Sequence, residues 1–373
     1  MKKTILTLVA ALGLFGSANA QTWKMVVTKD DGTTDTLETG KVKSVSFIVK
    51  DQNTESIIIK ELYNGGCPLD AGTSYFQADK GFILYNNSPE VAVANNLCVG
   101  MISPYNSNST NSWYSNGKLI YTDYIPASTG IWYFQQPVIL QPYEQRVVSV
   151  NGAIDNTKAN SQSVNYAHSA YYAMYDPESG FKNTKYYPTP SDSIPVSHYL
   201  KAVEYGMGNA WPLSVSSPGL FIFQVKGTSP AAYAKNSDNY IYEPGGKTTA
   251  VYCNLKVPVA WVIDGMEVYV NANSNNQKRM PSDIDAGYVS LTNKLGHSLY
   301  RNVDTDATKE LPENSGKLVY NYNKAVNAAN NGESVIDAEA SIRNGAHIIY
   351  EDTNNSSNDF HERTQFSLRE KAN

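Results

Sequence analysis

Five histidines, His168, His198, His297, His347 and His361, are the first residues to weigh for chemistry. No two stand four apart, so no helix face offers an imidazole pair to a metal, and H-E-x-x-H does not occur. G-x-S-x-G, the strained turn that exposes a nucleophilic serine, is also absent. Gly206-Met-Gly208 is a bare G-x-G without the third glycine or a following helix pattern, too little for a phosphate-binding turn. Asp264, Glu267, Asp283 and Asp285 are carboxylates that could in principle pair for glycoside hydrolysis, though almost any exported protein would offer as many. Cys67, Cys98 and Cys253 form no C-x-x-C, which excludes a zinc ribbon or a thioredoxin-type site. In an oxidising compartment they allow one disulfide with one cysteine left over, or three buried thiols packed as small apolar residues.

One acidic stretch invites a metal. From Asp352, positions one, three and five are Asp352, Asn354 and Ser356, all oxygen-bearing. An EF-hand then needs glycine at six and glutamate at twelve, where this chain has Ser357 and Arg363, so that loop is excluded. A looser calcium site on Asp352 and Asp359 stays open beside a structural reading, in which Asn and Asp side chains cap their own backbone in Asx-turns. No cofactor is implied.

Exposed aromatics would suit a binding protein. Trp113, Tyr114, Trp132, Tyr171, Tyr172, Tyr186, Tyr187 and Trp211 lie near Asn, Ser or Pro, and sugars or flat ligands stack on such rings with little loss of side-chain entropy. The competing reading is strand core, since adjacent aromatics on a strand send one ring inward. Two further short motifs, Asp35-Thr36-Leu37 and Asp192-Ser193-Ile194, place Thr36 and Ser193 as candidate glycosylation sites.

The elements that would position these groups are strands. Lys2 and Lys3, an apolar run from Ile5 to Phe15 and Ala18-Asn19-Ala20 read as a secretory signal peptide over residues 1–20, cut at Ala20-Gln21. No cysteine stands at the cut, and no later apolar run is long enough to span a bilayer, so the chain is expected to be exported and not membrane-spanning, whether periplasmic, surface-associated or secreted. Acidic residues outnumber basic ones, 35 to 30, before the leader's two lysines are removed, which argues against a nucleic-acid partner. Charged residues make up 17% while tyrosines number 27, a composition that favours pleated, half-buried surfaces. Residues 21–50 read as a small hairpin: Trp23, Met25 and Val27 alternate, Asp31-Gly32 turns, and Val45, Phe47 and Val49 return. From residue 51 to 373 short strands alternate with Gly, Pro and Asn, giving a mainly β, Ig-like sandwich. Leu220-Phe-Ile-Phe223 is apolar on both parities and so reads as fully buried. Pro230 to Lys235 reads as a short helix capped by Ser229. Residues 155–218, rich in Tyr, Ser, Asn and Pro, read as a large, mostly irregular insertion.

Separated blocks resemble a lamin-tail domain: Ile57-Ile-Ile-Lys-Glu61-Leu-Tyr63, Phe82-Ile-Leu-Tyr85-Asn86-Asn87-Ser88, Leu140-Gln-Pro142 through Val148, and Gly296-His-Ser298-Leu299-Tyr-Arg301. The Asn-Asn-Ser turn at 86–88, Met280-Pro281 through Gly287 and Asp352 through Phe360 resemble, more closely, a family of exported Bacteroidetes proteins built on the same plan, the domain of unknown function 4876. Leu84 stands where the lamin-tail pattern has an acid. The resemblance implies an Ig-like sandwich, and the sequence carries no catalytic motif. The chain is therefore expected to be a non-catalytic exported protein that captures a glycan, a small molecule or an outer-membrane transporter in nutrient uptake. The alternatives are a structural or adhesive surface module and, third, a hydrolase.

Overall fold

A computed structural model describes residues 24–28, 33–38, 50–211, 213–271 and 273–370. The expected leader and its cut, Trp23, Asp31-Gly32 and the run Val45, Phe47, Val49 fall outside these residues. The chain divides into two compact units, Met1–Ile48 and Val49–Asn373. In the first, Lys24–Thr28 pairs antiparallel with Thr34–Glu38, Val26 facing Thr36.

The second unit is built on one sheet of twelve strands. In chain order these are β1 (Ile57–Tyr63), β2 (Gly81–Asn86), β3 (Leu97–Met101), β4 (Gly130–Tyr133), β5 (Gln145–Ser149) and β6 (Tyr172–Met174), then β7 (Tyr199–Glu204), β8 (Gly219–Gln224), β9 (Val262–Val270), β10 (Val289–Leu291), β11 (Ser298–Arg301) and β12 (Phe360–Arg363). Their spatial order is β10-β9-β8-β3-β4-β7-β6-β5-β2-β1-β11-β12. Pairing is antiparallel except at β5–β6, β6–β7 and β9–β10. The sheet doubles over on itself: β9 lies against β1, and β10 against β11 and β12. Twisted sheets of this width curl in order to cover their apolar face. The protein is mainly β, and the doubled sheet forms the two packed layers.

Every strand sends a side chain into one interior cluster: Ile59, Leu84, Val99, Trp132, Val148, Met174, Leu200, Ile222, Val268, Leu291, Leu299 and Phe360, from β1 to β12 in turn. Outer faces are covered as well. A smaller sheet of Tyr124–Ser128, Cys253–Pro258 and Tyr240–Tyr242 packs Leu255 and Val257 against Ile131, Val203, Phe221 and Phe223. This double cover explains why β8 is buried along its whole length, as its apolar parity on both faces predicts. Helix α1 (Pro230–Lys235) forms as expected, with the Ser229 hydroxyl accepting from Ala232 N at 3.2 Å and proline in the first turn. Residues 155–218 depart from expectation: they are not only an irregular insertion but supply β6 and β7 to the middle of the sheet. All three cysteines are free and buried, so they act as core residues.

Trp132 on β4 is fully buried and stacks on Phe181 with ring centroids 5.5 Å apart. Trp132→Ala is expected to cost about 3–5 kcal/mol, the range for an aromatic lost from a core that only partly collapses. Urea unfolding of the variant against the parent chain checks this.

Candidate functional site

Of the aromatic candidates, four belong to the core. Trp113, Trp132, Tyr187 and Trp211 are buried, so their rings are not available for stacking a ligand. The Trp211 indole donates to Gly130 O at 2.9 Å, and its backbone N donates to the Tyr187 hydroxyl at 2.9 Å. Paired aromatics in sequence gave no hint that both faces of this sheet would be covered. Tyr171, Tyr172 and Tyr186 are half-buried; Tyr171 stacks on His168 and Tyr172 on His198. Tyr114 is half-buried and lines two surface grooves, one of which it shares with Asn108, Asn111, Asn275 and Gln277. Thr36 and Ser193 are both exposed.

The two aspartates considered for calcium lie around a cation of the protein's own. Arg301, at the end of β11, is fully buried. Its Nη1 lies 3.0 Å from Asp352 Oδ1 and 3.7 Å from Asp359 Oδ2, and Nη2 binds Asp264. Its Nε donates to Ile59 O at 2.9 Å, and the guanidinium sits 4.5 Å over the Phe360 ring. Asp359 also accepts from Thr353 N at 3.0 Å and Thr353 Oγ1 at 2.7 Å. The carboxylates are thus taken up by a guanidinium and by turn amides, which corrects the metal reading. Among the described residues, no group of three or more His, Cys, Asp or Glu side chains is placed to hold a metal ion. Two further carboxylates are similarly engaged, Glu267 with Arg279 at 2.9 Å and Asp285 with Ser356 N at 2.8 Å, while Asp283 is exposed.

A cavity of about 220 Å³ opens beside β11 and β12, under the segment that carries Tyr322 and helix α2 (Ala338–Arg343). Tyr300 faces His361 across the β11–β12 ladder, and Ser298 faces Arg363. The period-two alternation of a strand puts His361 and Arg363 on one face and sends Phe360 to the other. Val335 and Ile336 supply apolar wall. His361 Nδ1 lies 2.7 Å from Asn302 Oδ1, and Nε2 lies 2.7 Å from the Tyr322 hydroxyl. An amide oxygen only accepts, so Nδ1 carries the proton and Nε2 accepts from Tyr322. Burial, reinforced by the Arg363 charge, holds His361 down at about 4, while burial pushes the Tyr322 phenol well up. This is a neutral donor–acceptor pair rather than an activated nucleophile with its base.

Arg363 is fully buried. Its Nη2 binds Glu370, Nη1 lies 3.6 Å from Glu61 Oε1, and the guanidinium stands 4.9 Å from the Tyr300 ring centre. Nε and Nη1 have no hydrogen-bond partner among the described residues. Glu339 accepts from the Tyr300 hydroxyl at 2.8 Å and pairs with Lys60 at 2.6 Å. Burial alone would raise Glu339, but Lys60 and then Arg363 hold it down at about 2. Burial outweighs Arg363 at Glu61, whose carboxyl is raised. Sequence reading missed this pocket. Its only local signal is His361 and Arg363, two polar residues alternating along a strand that begins with Phe360.

The sequence matches the family described as "Protein of unknown function (DUF4876)" over residues 141–367. The chain belongs to this family. Every lining residue of the pocket lies within the matched DUF4876 region. A crystal structure of a DUF4876 family protein from Bacteroides thetaiotaomicron VPI-5482 superposes with a TM-score of 0.56 at 18% identity, over 90% of this chain and 80% of that one, so the two share a fold. No curated protein matches the chain. No described helix of this DUF4876 protein is long and apolar enough to cross a membrane.

Proposed function

We propose that this DUF4876 protein is exported through its N-terminal leader and captures a small ligand, without catalysis, in the pocket beside Arg363. The observation that carries the reading is the cavity beside Arg363, a fully buried guanidinium whose Nε and Nη1 have no hydrogen-bond partner among the described residues. Buried donors are nearly always partnered, and a hydrogen bond from a charged donor contributes about 1.5–3 kcal/mol. Glu61, Glu339 and Glu370 already surround Arg363, so its charge is balanced. A neutral oxygen, a hydroxyl or carbonyl, suits the site better than an anion. The cavity is smaller than the roughly 300–1,000 Å³ of drug-sized sites, which fits one sugar unit or the end of a longer molecule. Capture for uptake beside an outer-membrane transporter, on a lamin-tail-like scaffold, belongs to the same proposal.

Purified protein is expected to show a raised melting temperature with one member of a panel of neutral sugars and small carbonyl compounds, and Arg363→Lys, which keeps the charge but lacks the fork, to lose that shift. Silence across the panel, with no co-purifying membrane partner, would sink the reading. One observation favours a second, that of a structural or adhesive surface module: Trp113 is core, not an exposed ring. A hydrolase is the weakest reading, because Asp264, Glu267 and Asp285 are buried and engaged.

A further inference from the structure

Lys60 lies in the bulge of β1, where the pairing with β2 slips between Ile59 and Glu61. Alternation along the strand puts its side chain on the face of Ile58, opposite Ile59 and the interior cluster, among Tyr85, Tyr300 and Tyr350, where it is fully buried. Nζ meets two groups there. Glu339 Oε1, from α2, is 2.6 Å away, and the side-chain carbonyl oxygen of Gln145, from the start of β5, is 2.7 Å away. Three tyrosine rings, Tyr85, Tyr300 and Tyr350, stand 5.6–5.8 Å from Nζ. Tyr85 is the residue of β2 that pairs with Gln145 across the ladder, so amine and amide are held by β1 and β5, on either side of β2 in one sheet.

An amine, a carboxamide and a carboxyl group, held together inside an aromatic shell, are the reactants and the proton carrier of an acyl transfer. We propose that Lys60 and Gln145 join in an intramolecular isopeptide bond, with Glu339 carrying the proton. The resting contact is an ion pair. Moving one proton from Nζ to Glu339 Oε1 gives its neutral form, an amine beside a carboxylic acid. The amine attacks Cδ of Gln145, one bond beyond the oxygen it already touches. Glu339 delivers its proton to the departing nitrogen and takes one from Nζ. The Cδ–N bond of the carboxamide breaks, the Nζ–Cδ bond forms, and ammonia leaves. No oxidant or co-reactant is needed. The neutral form is rare beside an ion pair this close, but the reaction has to happen only once in the life of each molecule. Fixed proximity replaces a bimolecular encounter, and loss of ammonia makes the step one-way.

The bond would tie β1 to β5 across β2, where residues 60 and 145 enclose a long stretch of chain. Intact-mass measurement of the purified, folded chain decides the matter. The expected mass lies below that of the sequence by one ammonia, and a digest yields one peptide in which Lys60 and Gln145 are joined. Gln21, once exposed as an N-terminal residue, loses ammonia by cyclising, so the peptide map has to place the loss. Gln145→Ala changes a half-buried residue and Glu339→Gln removes the proton carrier; both are expected to keep the full mass. A folded parent chain at full mass after long incubation, or an ammonia loss that maps to Gln21 alone, overturns the proposal. A cross-link that persists in Glu339→Gln overturns the role given to Glu339.

Discussion

Arg301→Met is expected to lower the stability of the second unit by about 3–5 kcal/mol, the cost of leaving a buried ion network without one of its partners. Methionine nearly matches the volume of the arginine stem, so packing on Phe360 is largely kept and the loss reports charge and hydrogen bonding. Asp264 and Asp359 would keep their backbone donors but lose the one cation they share in the interior. The Ile59 carbonyl would lose its donor. Asp264 shows how heavily the site leans on the cation: burial pushes its carboxyl up even against the pull of Arg301. Asp352 is the control. It is a third exposed, so Asp352→Ala should lose only about 1 kcal/mol, as for one hydrogen bond to a charged group at a wet site. Both variants should behave alike with and without added calcium, and urea unfolding in each condition measures this. A calcium-dependent rise in the parent chain that disappears in Asp352→Ala would restore the metal reading.

The same residues explain why a family pattern could be read from the sequence while its purpose could not. Asn87, of the Asn-Asn-Ser turn, exchanges hydrogen bonds with the backbone of Tyr350. Asp285, of the Met280–Gly287 block, accepts from Ser356 N and Oγ. Asp352 and Asp359 close on Arg301. Blocks far apart in the chain thus clasp one another, and their residue types are fixed by partners that no local pattern reveals. Local signals were legible where the decision is local: the capped turn of α1, and the apolar parity of β8. They failed where pairing is distant. β6 has three residues and is held between two parallel neighbours, so it has no turn partner and no alternation to announce it. The pocket is the extreme case. Tyr300, Tyr322, Glu339 and Arg363 come from four separate stretches, and nothing in any one of them alone shows that it will be buried beside the others.

His361 yields the clearest dependence on pH. Its folded value is about 4 against an ordinary 6.5. As pH falls through 6.5 the unfolded chain takes up a proton that the folded chain refuses until about pH 4. The contribution of His361 is therefore fully present above 6.5 and is lost progressively as pH falls toward 4, with a limit of about 3 kcal/mol at about 1.4 kcal/mol per unit. Asp79 titrates in the same window with the opposite sign. Burial pushes it up to about 6, so its protonation favours the folded chain as pH falls. The wild-type curve alone would mix the two, whereas a difference between variants separates them. His361→Gln keeps an amide donor for Asn302 and an acceptor for Tyr322 but cannot charge. Urea unfolding at about pH 7 and about pH 4.5 is expected to show the parent losing about 2–3 kcal/mol more than His361→Gln over that interval. Parallel losses would mean that His361 is protonated in the fold, and that Tyr322 cannot be donating to it.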